Sequence, residues 1–251
     1  MIRIVIIGTG NVASHLIKGI QNSDSLMLAG IFSRNPNQET IDAFGDLLFT
    51  DLAKIPAADL CLIAVKDDAI SGVSEKLLGF QGVVAHTSGN TDLEILAKHG
   101  RTGVFYPLMT FSKHQRLELK KVPICIEAKN AENELLLYNT AVALSENVHR
   151  ISSEQRRFIH LTAVFVNNFV NHLIYQGKVI SDNNNIPFEI FSPLIEETIK
   201  KAFSSNPFNA QTGPARRNDT KTINSHLEIL SDPLQREIYE LLTLSIIKTY
   251  E

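Results

Sequence analysis

The chain has 251 residues, of which 44% are hydrophobic and 20% are charged, and its formal net charge is −3. This composition is typical of a folded globular protein, and the small negative charge argues against a nucleic-acid or membrane surface. No apolar run approaches the roughly 20 residues that a membrane-spanning helix needs, and the N-terminus lacks the features of a secretory leader. We therefore expect a soluble cytoplasmic protein that acts on a small molecule.

The first predicted element is a strand that leads directly into a glycine-rich turn and a helix. Ile2 and residues 4–7 are apolar, as is typical of a strand buried on both faces. The turn and the start of the helix follow as Gly8-Thr9-Gly10-Asn11-Val12-Ala13. The glycines allow a tight turn and a close approach of a pyrophosphate, which the helix N-terminus attracts. We therefore predict a dinucleotide site at residues 8–12; the alternative is a glycine turn with a purely structural role.

The second predicted strand ends in the polar turn Ser33-Arg34-Asn35. In NAD-selective folds of this kind, an acidic residue near this point accepts hydrogen bonds from the ribose 2′-hydroxyl. Here no carboxylate would repel a 2′-phosphate, and the guanidinium of Arg34 could pair with one. We therefore predict NADP as the cofactor, with Ser33, Arg34 and Asn35 in its site. In the alternative interpretation, Arg34 is a solvated turn residue.

Residues 59–65 form a further predicted buried strand, which ends at Val65 and is followed by Lys66 and Asp67. Ligands of open α/β sheets lie beyond the carboxyl ends of the strands. We therefore assign Val65 and Lys66 to the cofactor site. Asp67 either lies near the cofactor or caps the next helix.

The predicted strand within residues 82–90 carries the small hydrogen-bonding side chains of His86, Thr87 and Ser88 at its carboxyl end. By the same topological argument we assign Ser88 to the cofactor and His86 and Thr87 to the substrate. No spacing of His, Cys, Asp or Glu is typical of a metal site, and we expect no metal.

Strands and helices alternate as far as about residue 151, and only helices are predicted beyond it. This order predicts an α/β fold, a Rossmann-type doubly wound and mostly parallel sheet, followed by an all-α C-terminal domain. We place a dinucleotide-binding domain at residues 1–151 and a helical domain for substrate binding and dimerisation at residues 152–251.

The second domain opens with a long predicted helix, which is capped by Ser152 or Ser153 and extends to about Asn183. The helix is apolar on most sides, which predicts a buried position. His160, Asn167 and Asn171 recur at helical spacing and should form one narrow polar stripe. Buried amides need partners, so the stripe either faces a substrate or belongs to a satisfied core network or a dimer seam.

A second polar segment, residues 213–227, contains Arg216 and Arg217 just before an Asn-Asp helix cap. Arginines beside a helix N-terminus can bind a carboxylate or phosphate. We assign both arginines to an anionic substrate group. The alternative is that Asp219 only caps the helix and the arginines are solvated.

Several of these motifs resemble a family of NADP-dependent oxidoreductases in which a Rossmann-like domain precedes a helical domain of unknown function. The resemblance rests on five segments, which are residues 8–13, 64–68, 86–89, 107–112 and 213–227. It implies a dimeric bacterial protein with a nicotinamide site and an unassigned substrate, which we expect to be a small carbonyl, imine or hydroxy compound in a cleft between the domains.

The chain is more distantly similar to pyrroline-5-carboxylate reductase, the deazaflavin-dependent NADP reductases and the β-hydroxyacid dehydrogenases. In the last group the long helix carries a catalytic Lys four residues before an Asn. Asn167 matches that Asn, but Ala163 stands at the Lys position. We therefore assign proton transfer to His160, one turn earlier, and substrate orientation to Asn167. The alternative function is a non-catalytic NADP-binding sensor or scaffold.

Overall fold

The computed structural model describes residues 1–112 and 117–251, and the chain divides into two compact units, residues 1–164 and residues 165–251. The first unit contains an eight-stranded sheet with helices, and the second is helical. The predicted fold class is confirmed. The predicted domain boundary at residue 151 follows the change from strands to helices rather than compactness, and it remains a prediction.

The sheet is mostly parallel. Across it the strands have the sequence-order numbers 3-2-1-4-5-6-7-8, and neighbours run parallel except for the sixth and seventh, which are antiparallel. The order reverses between the first and fourth strands, beside which open α/β sheets bind their ligands. The strands are β1 Ile2–Ile7, β2 Leu26–Phe32, β3 Leu48–Phe49, β4 Leu60–Ile63, β5 Val83–His86, β6 Thr102–Pro107, β7 Ile124–Ala128 and β8 Val148–Arg150.

The α-helices of the first unit are mostly short and alternate with the strands, whereas those of the second follow one another directly. The helices are α1 Asn11–Gln21, α2 Gln38–Phe44, α3 Ile70–Glu75, α4 Ala131–Leu144, α5 Ser153–Ala163, α6 Val170–Asn183, α7 Ser192–Ser204, α8 Pro207–Ala210, α9 Thr220–Ile229 and α10 Pro233–Tyr250. The described part of the chain contains no helix long and apolar enough to cross a membrane.

The apolar sequence of β1 reflects burial on both faces of the sheet. Ile4 and Ile6 belong to one apolar cluster, which includes Leu16 of α1, and Val5 and Ile7 belong to another. All four strand residues are fully buried. Because side chains alternate between the faces of a strand, β1 supplies both layers of the core. The glycine turn after β1 therefore begins from a rigid base.

Of the two residues predicted to cap the long helix, Ser152 is the cap. The Ser152 hydroxyl accepts a hydrogen bond from the Gln155 backbone N–H, and the Gln155 side chain accepts one from the Ser152 N–H. This reciprocal pair satisfies two donors at the helix start. The first turn of α5 is thereby fixed.

The helix is not α-helical throughout, because Val164–Phe169 forms a π-helical segment between α5 and α6. A π-turn joins residues five apart and is wider than an α-turn. The predicted stripe of His160, Asn167 and Asn171 assumed α-helical spacing, so that single stripe is wrong. The roles of the three residues remain predictions.

The prediction that this helix is buried is wrong for the single chain. Phe158, Phe165 and Phe169 are 64%, 60% and 49% exposed. In the second unit, whose residues are all described, the only buried residues are Ser181, Ala215 and Ile223. Its helices thus leave much apolar surface uncovered.

Candidate functional site

The two glycines of the turn after β1 are required for different reasons. Gly8 has φ +120°, and a Cβ atom there would lie 2.4 Å from the Ala64 carbonyl oxygen. The turn therefore admits no side chain at Gly8. Gly10 has an ordinary φ of −74°, and a Cβ atom there would meet no atom of the described residues within 4 Å. The space beside Gly10 is left open by the fold.

That space belongs to a cavity of about 770 Å³ at the carboxyl ends of β1, β2 and β4. This volume lies within the usual range for a ligand pocket. Nine of the eleven residues predicted to bind the cofactor line the cavity, together with Thr87, which was assigned to the substrate; the nine are Gly8, Thr9, Gly10, Asn11, Val12, Ser33, Arg34, Val65 and Lys66. Asn35 and Ser88 do not line it. The structure thus brings most of the set together, and their roles remain predictions.

The N-terminus of α1 borders this cavity and is suited to bind an anion. Gly10 is the N-cap and provides no side-chain cap, and the first turn contains no acidic residue. The first backbone N–H groups of a helix have no partners within the helix. The Asn11 side chain does not cap the helix; it donates to the Phe111 carbonyl oxygen at 2.9 Å. These features fit a pyrophosphate, which backbone N–H groups and the helix dipole would bind.

The described part of the cavity wall contains two charged side chains, and both are cationic. Among the residues that the structure describes, Arg34 and Lys66 line it and no carboxylate does. Ser33 is buried and Arg34 is exposed. Asp67 does not line the cavity, and it forms no capping bond at the 3-10 turn Asp67–Ala69. The wall is therefore suited to a ligand with more negative charge than a pyrophosphate alone.

His86, at the end of β5, is fully buried and neutral. Its Nδ1 accepts a hydrogen bond from the Ser88 N–H at 3.2 Å. The pKa of His86 is lowered to about 4, mainly by burial and to a smaller extent by the Arg156 guanidinium, while Asp92 raises it. Since Nδ1 is an acceptor, the ring hydrogen lies on Nε2. The histidine thus shapes the loop after β5, and its predicted contact with substrate remains a prediction.

Arg156, in the first turn of α5, anchors the same loop and was not predicted from the sequence. Its side chain is 1% exposed. One guanidinium nitrogen donates to the carbonyl oxygens of Ser88 and Gly89, both at 3.3 Å, and to that of Thr91. The other terminal nitrogen, Nη2, donates to Glu127 Oε2 at 3.1 Å. A buried charge with this many partners holds loop, strand and helix in one arrangement.

Next to this loop, His160 meets Tyr106 of β6. The His160 Nδ1 and Tyr106 Oη atoms are 3.5 Å apart, and the rings meet edge to face. A Cβ atom on Gly89 would lie 2.8 Å from that Nδ1 and 2.6 Å from the Tyr106 ring. The loop after β5 therefore forms the floor beneath both rings. Sequence reasoning selected His160 and missed Tyr106.

The other predicted residues lie in the second unit. Asn167 is in the π-helical segment and Asn171 is in α6, and both are exposed. Arg216 and Arg217 end a 3-10 turn before α9, and both are exposed. The Arg216 guanidinium lies over the Tyr250 ring, 4.2 Å from its centroid. Their substrate roles remain predictions.

The start of α9 is capped by a carboxylate. Asp219 Oδ1 accepts from the Thr222 N–H at 3.1 Å, and Oδ2 accepts from the Thr222 hydroxyl at 2.8 Å. These bonds to Thr222 hold the pKa of Asp219 below its usual value, with a smaller contribution from the charge of Arg217. Asp219 therefore has the capping role. Among the described residues, no group of three or more His, Cys, Asp or Glu could hold a metal ion.

Comparison with known proteins relates this architecture to oxidoreductases. The family model of a domain of unknown function, DUF2520, matches residues 122–246. A crystal structure from Bacteroides fragilis, of a protein named a putative NADP oxidoreductase, shares 35% sequence identity, with a TM-score of 0.88 over 98% of each chain. Among proteins with curated descriptions, none matches the chain.

Two further solved structures share the fold. A protein from Thermotoga maritima is 18% identical, with a TM-score of 0.74 over 98% of each chain. An imine reductase from Myxococcus stipitatus, in complex with NADP⁺, is 12% identical with a TM-score of 0.67, covering 98% of this chain and 92% of the other. At these identities the likeness concerns the fold alone.

Proposed function

Since this chain belongs to the family of oxidoreductases that join a Rossmann-type nucleotide-binding domain to a DUF2520 domain, we propose that it transfers hydride between NADP(H) and a small anionic carbonyl, imine or hydroxy substrate. The observation that carries this proposal is the cavity at the uncapped start of α1. It combines open space at Gly10 with the two cations Arg34 and Lys66.

NADPH, when bound, supplies a hydride to the electrophilic carbon of the substrate. The chain must then supply a proton to the attached oxygen or nitrogen. His160 is the candidate for that transfer, because it is half-buried and packs on the loop after β5. Histidine moves protons readily near neutral pH. In the reverse direction His160 would accept the proton.

The turnover test compares wild type with His160→Ala in an assay of NADPH oxidation against oxo acids, imines and aldehydes. We expect turnover with at least one substrate class, and a loss of about 100-fold or more in His160→Ala, the usual range for an acid-base residue. The competing function, a non-catalytic NADP-binding sensor or scaffold, is favoured by Ala163 at the position of the dehydrogenase lysine. NADPH binding with no turnover of any substrate would establish that alternative.

The choice of NADP over NAD rests on Arg34. Arg34→Ala should weaken NADPH binding by about 1.5–3 kcal/mol, the range for hydrogen bonds to charged groups, and leave NADH binding unchanged. Fluorescence titration with both cofactors measures this, and Lys54→Ala, an exposed cation outside the cavity wall, is the control. Equal losses for the two cofactors would refute a contact with the 2′-phosphate.

The pyrophosphate position rests on Gly10, where a methyl group would meet no atom in the part of the chain that the structure describes. Gly10→Ala should therefore fold with an unchanged melting temperature but lose at least about tenfold in NADPH affinity, because the methyl group would occupy ligand space. Gly72→Ala is the matched control, since its Cβ atom would also meet nothing within 4 Å and it lies outside the cavity wall. Unchanged binding in Gly10→Ala would place the pyrophosphate elsewhere.

We also propose that the protein is a homodimer formed through its second unit. Of the large apolar residues that are exposed, seventeen lie in residues 165–251 and nine in the described part of residues 1–164. The second unit also has an apolar groove of about 370 Å³, lined by Leu173, Leu194 and eight other residues. Apolar surface on this scale is typical of an interface.

A further inference from the structure

We infer that Tyr106 is the positioning residue for His160: its hydroxyl donates to Nδ1, so that His160 presents an Nε2–H group to the substrate. This inference rests on the proposed function of His160 in proton transfer. It adds a partner, Tyr106, that determines which ring nitrogen of His160 carries the transferred proton. The arrangement is built entirely from residues of the first unit.

The first support is the geometry of the pair. Tyr106 Oη lies 3.5 Å from His160 Nδ1, and their ring centroids are 6.4 Å apart in an edge-to-face arrangement. The contact is at the long limit for a hydrogen bond. Hydrogen bonds of catalytic groups are often long without ligand and shorten when substrate binds. Because Nδ1 is turned to Tyr106, Nε2 is the nitrogen left for another partner.

The second support is the protonation of Tyr106. The pKa of the Tyr106 hydroxyl is raised to about 12, mainly by burial, with smaller upward contributions from Cys125 and Asp67 and a lowering by the Arg156 guanidinium. The phenol is therefore protonated throughout the neutral range. A phenol is a stronger acid than a neutral imidazole, so the phenol is the donor and Nδ1 is the acceptor. In a neutral histidine this bond fixes the hydrogen on Nε2.

The third support is the fixed position of both rings. Gly89 lies beneath them so closely that any side chain there would displace the Tyr106 ring or the His160 Nδ1 atom. The carbonyl oxygen of Gly89 is itself held by the buried Arg156. Gly89 is two residues beyond Thr87, which lines the cofactor cavity. The pair is thus tied to the loop that also borders that cavity.

Two proton donors act in series in this step, the Tyr106 hydroxyl toward Nδ1 and the His160 Nε2–H group toward the substrate. As the hydride reaches the substrate carbon, the Nε2 proton passes to the substrate oxygen or nitrogen. The Tyr106 proton passes to Nδ1 at the same stage, so His160 stays neutral and a tyrosinate remains. Water returns the proton to Tyr106 afterwards. A newly formed alkoxide is basic enough to draw a proton from a phenol, so the transfer is favourable even with a raised pKa.

The test reads the tautomer of His160 by nitrogen-15 NMR of histidine-labelled protein at pH 8, with His160→Gln used to assign the signals. Wild type should show the Nε2–H tautomer, and Tyr106→Phe, which keeps the ring, should show a mixture of tautomers. Tyr138→Phe is the control, because the Tyr138 ring lies under Arg150 in the same unit. An Nδ1–H tautomer in wild type, or identical His160 signals in wild type and Tyr106→Phe, would overturn the inference.

NADPH binding, measured on the same samples, separates this inference from the proposed function. Absence of binding would refute the proposed function. The tautomer measurement is independent of turnover and tests the inference by itself. Where a substrate is turned over, Tyr106→Phe should lower kcat about 10- to 100-fold with little change in KM. An unchanged kcat with a raised KM would contradict positioning of the proton donor.

Discussion

The two units of the chain differ in how much of their apolar surface they bury. The sheet of the first unit has a core on each face, and β1 alone contributes four fully buried residues. In the second unit, Ala215 and Ile223 are the only buried apolar residues among residues 165–251. Burial of apolar area is the main stabilising term in folding. The first unit therefore has a buried core of its own, whereas the second leaves much of its apolar surface uncovered.

The units also differ in their polar contacts. The first unit contains buried polar side chains with specific partners, above all Arg156 and His86. In the second, the hydrogen-bonded polar side chains lie mostly at the surface. Buried polar networks specify one arrangement, whereas exposed ones tolerate several.

The largest effect is expected for the anchor of the loop after β5. Arg156→Met removes a buried charge that holds three carbonyl groups and Glu127, and it should cost about 4 kcal/mol of unfolding free energy, as when a buried ion pair loses one partner. Arg157→Met is the matched control, since its ion pair with Asp92 is exposed and should contribute at most about 1 kcal/mol. Urea unfolding measures both. Similar losses would show that burial does not distinguish the two arginines.

A pH dependence is expected from His86. Its ordinary pKa is 6.5 and the folded value is about 4, so between these values the unfolded chain binds a proton that the folded chain does not. Stability should therefore be intact above pH 6.5 and decrease by up to about 3 kcal/mol as the pH falls to 4. Urea unfolding at several pH values, for wild type and His86→Asn, measures this contribution. An equally steep pH dependence in His86→Asn would assign the effect to other groups.

The smallest of the three effects concerns the uncovered surface of the second unit. Leu194 and Leu78 are 64% and 50% exposed, but only Leu194 lines the apolar groove. Leu194→Asp should weaken self-association by about 2 kcal/mol, as for a central interface residue. Leu78→Asp should change it by less than about 0.5 kcal/mol, as for an ordinary surface position. Sedimentation equilibrium measures both, and a monomeric wild type would refute the homodimer.

The parts of the fold that were predictable from sequence are those whose signals are local. The apolar run of β1, Gly8 and the helix signals after Gly10 are contiguous, and the structure has β1, the turn and α1 in that order. The Ser152 cap was predictable for the same reason, because its partner Gln155 is three residues away. Such features need no knowledge of distant contacts.

The features that sequence reasoning missed depend on distant contacts. Arg156 and Arg157 are adjacent and chemically identical, yet one is buried and the other exposed, because only the folded chain brings carbonyl groups to Arg156. Tyr106 and His160 are likewise 54 residues apart. The π-helical segment gives no signal in a pattern that assumes 3.6 residues per turn. Because the segment changes the spacing between His160 and Asn171, the predicted polar stripe does not form.

The open space beside Gly10 has a consequence for how this motif changes over time. The fold itself forbids a side chain at Gly8, whereas at Gly10 a side chain would clash with a bound ligand and with none of the described residues. A descendant that ceased to use a dinucleotide would therefore keep Gly8 and be free to exchange Gly10. Among relatives of this chain, the identity of the residue at the Gly10 position is thus a record of ligand use, and the identity at the Gly8 position is a record of folding alone.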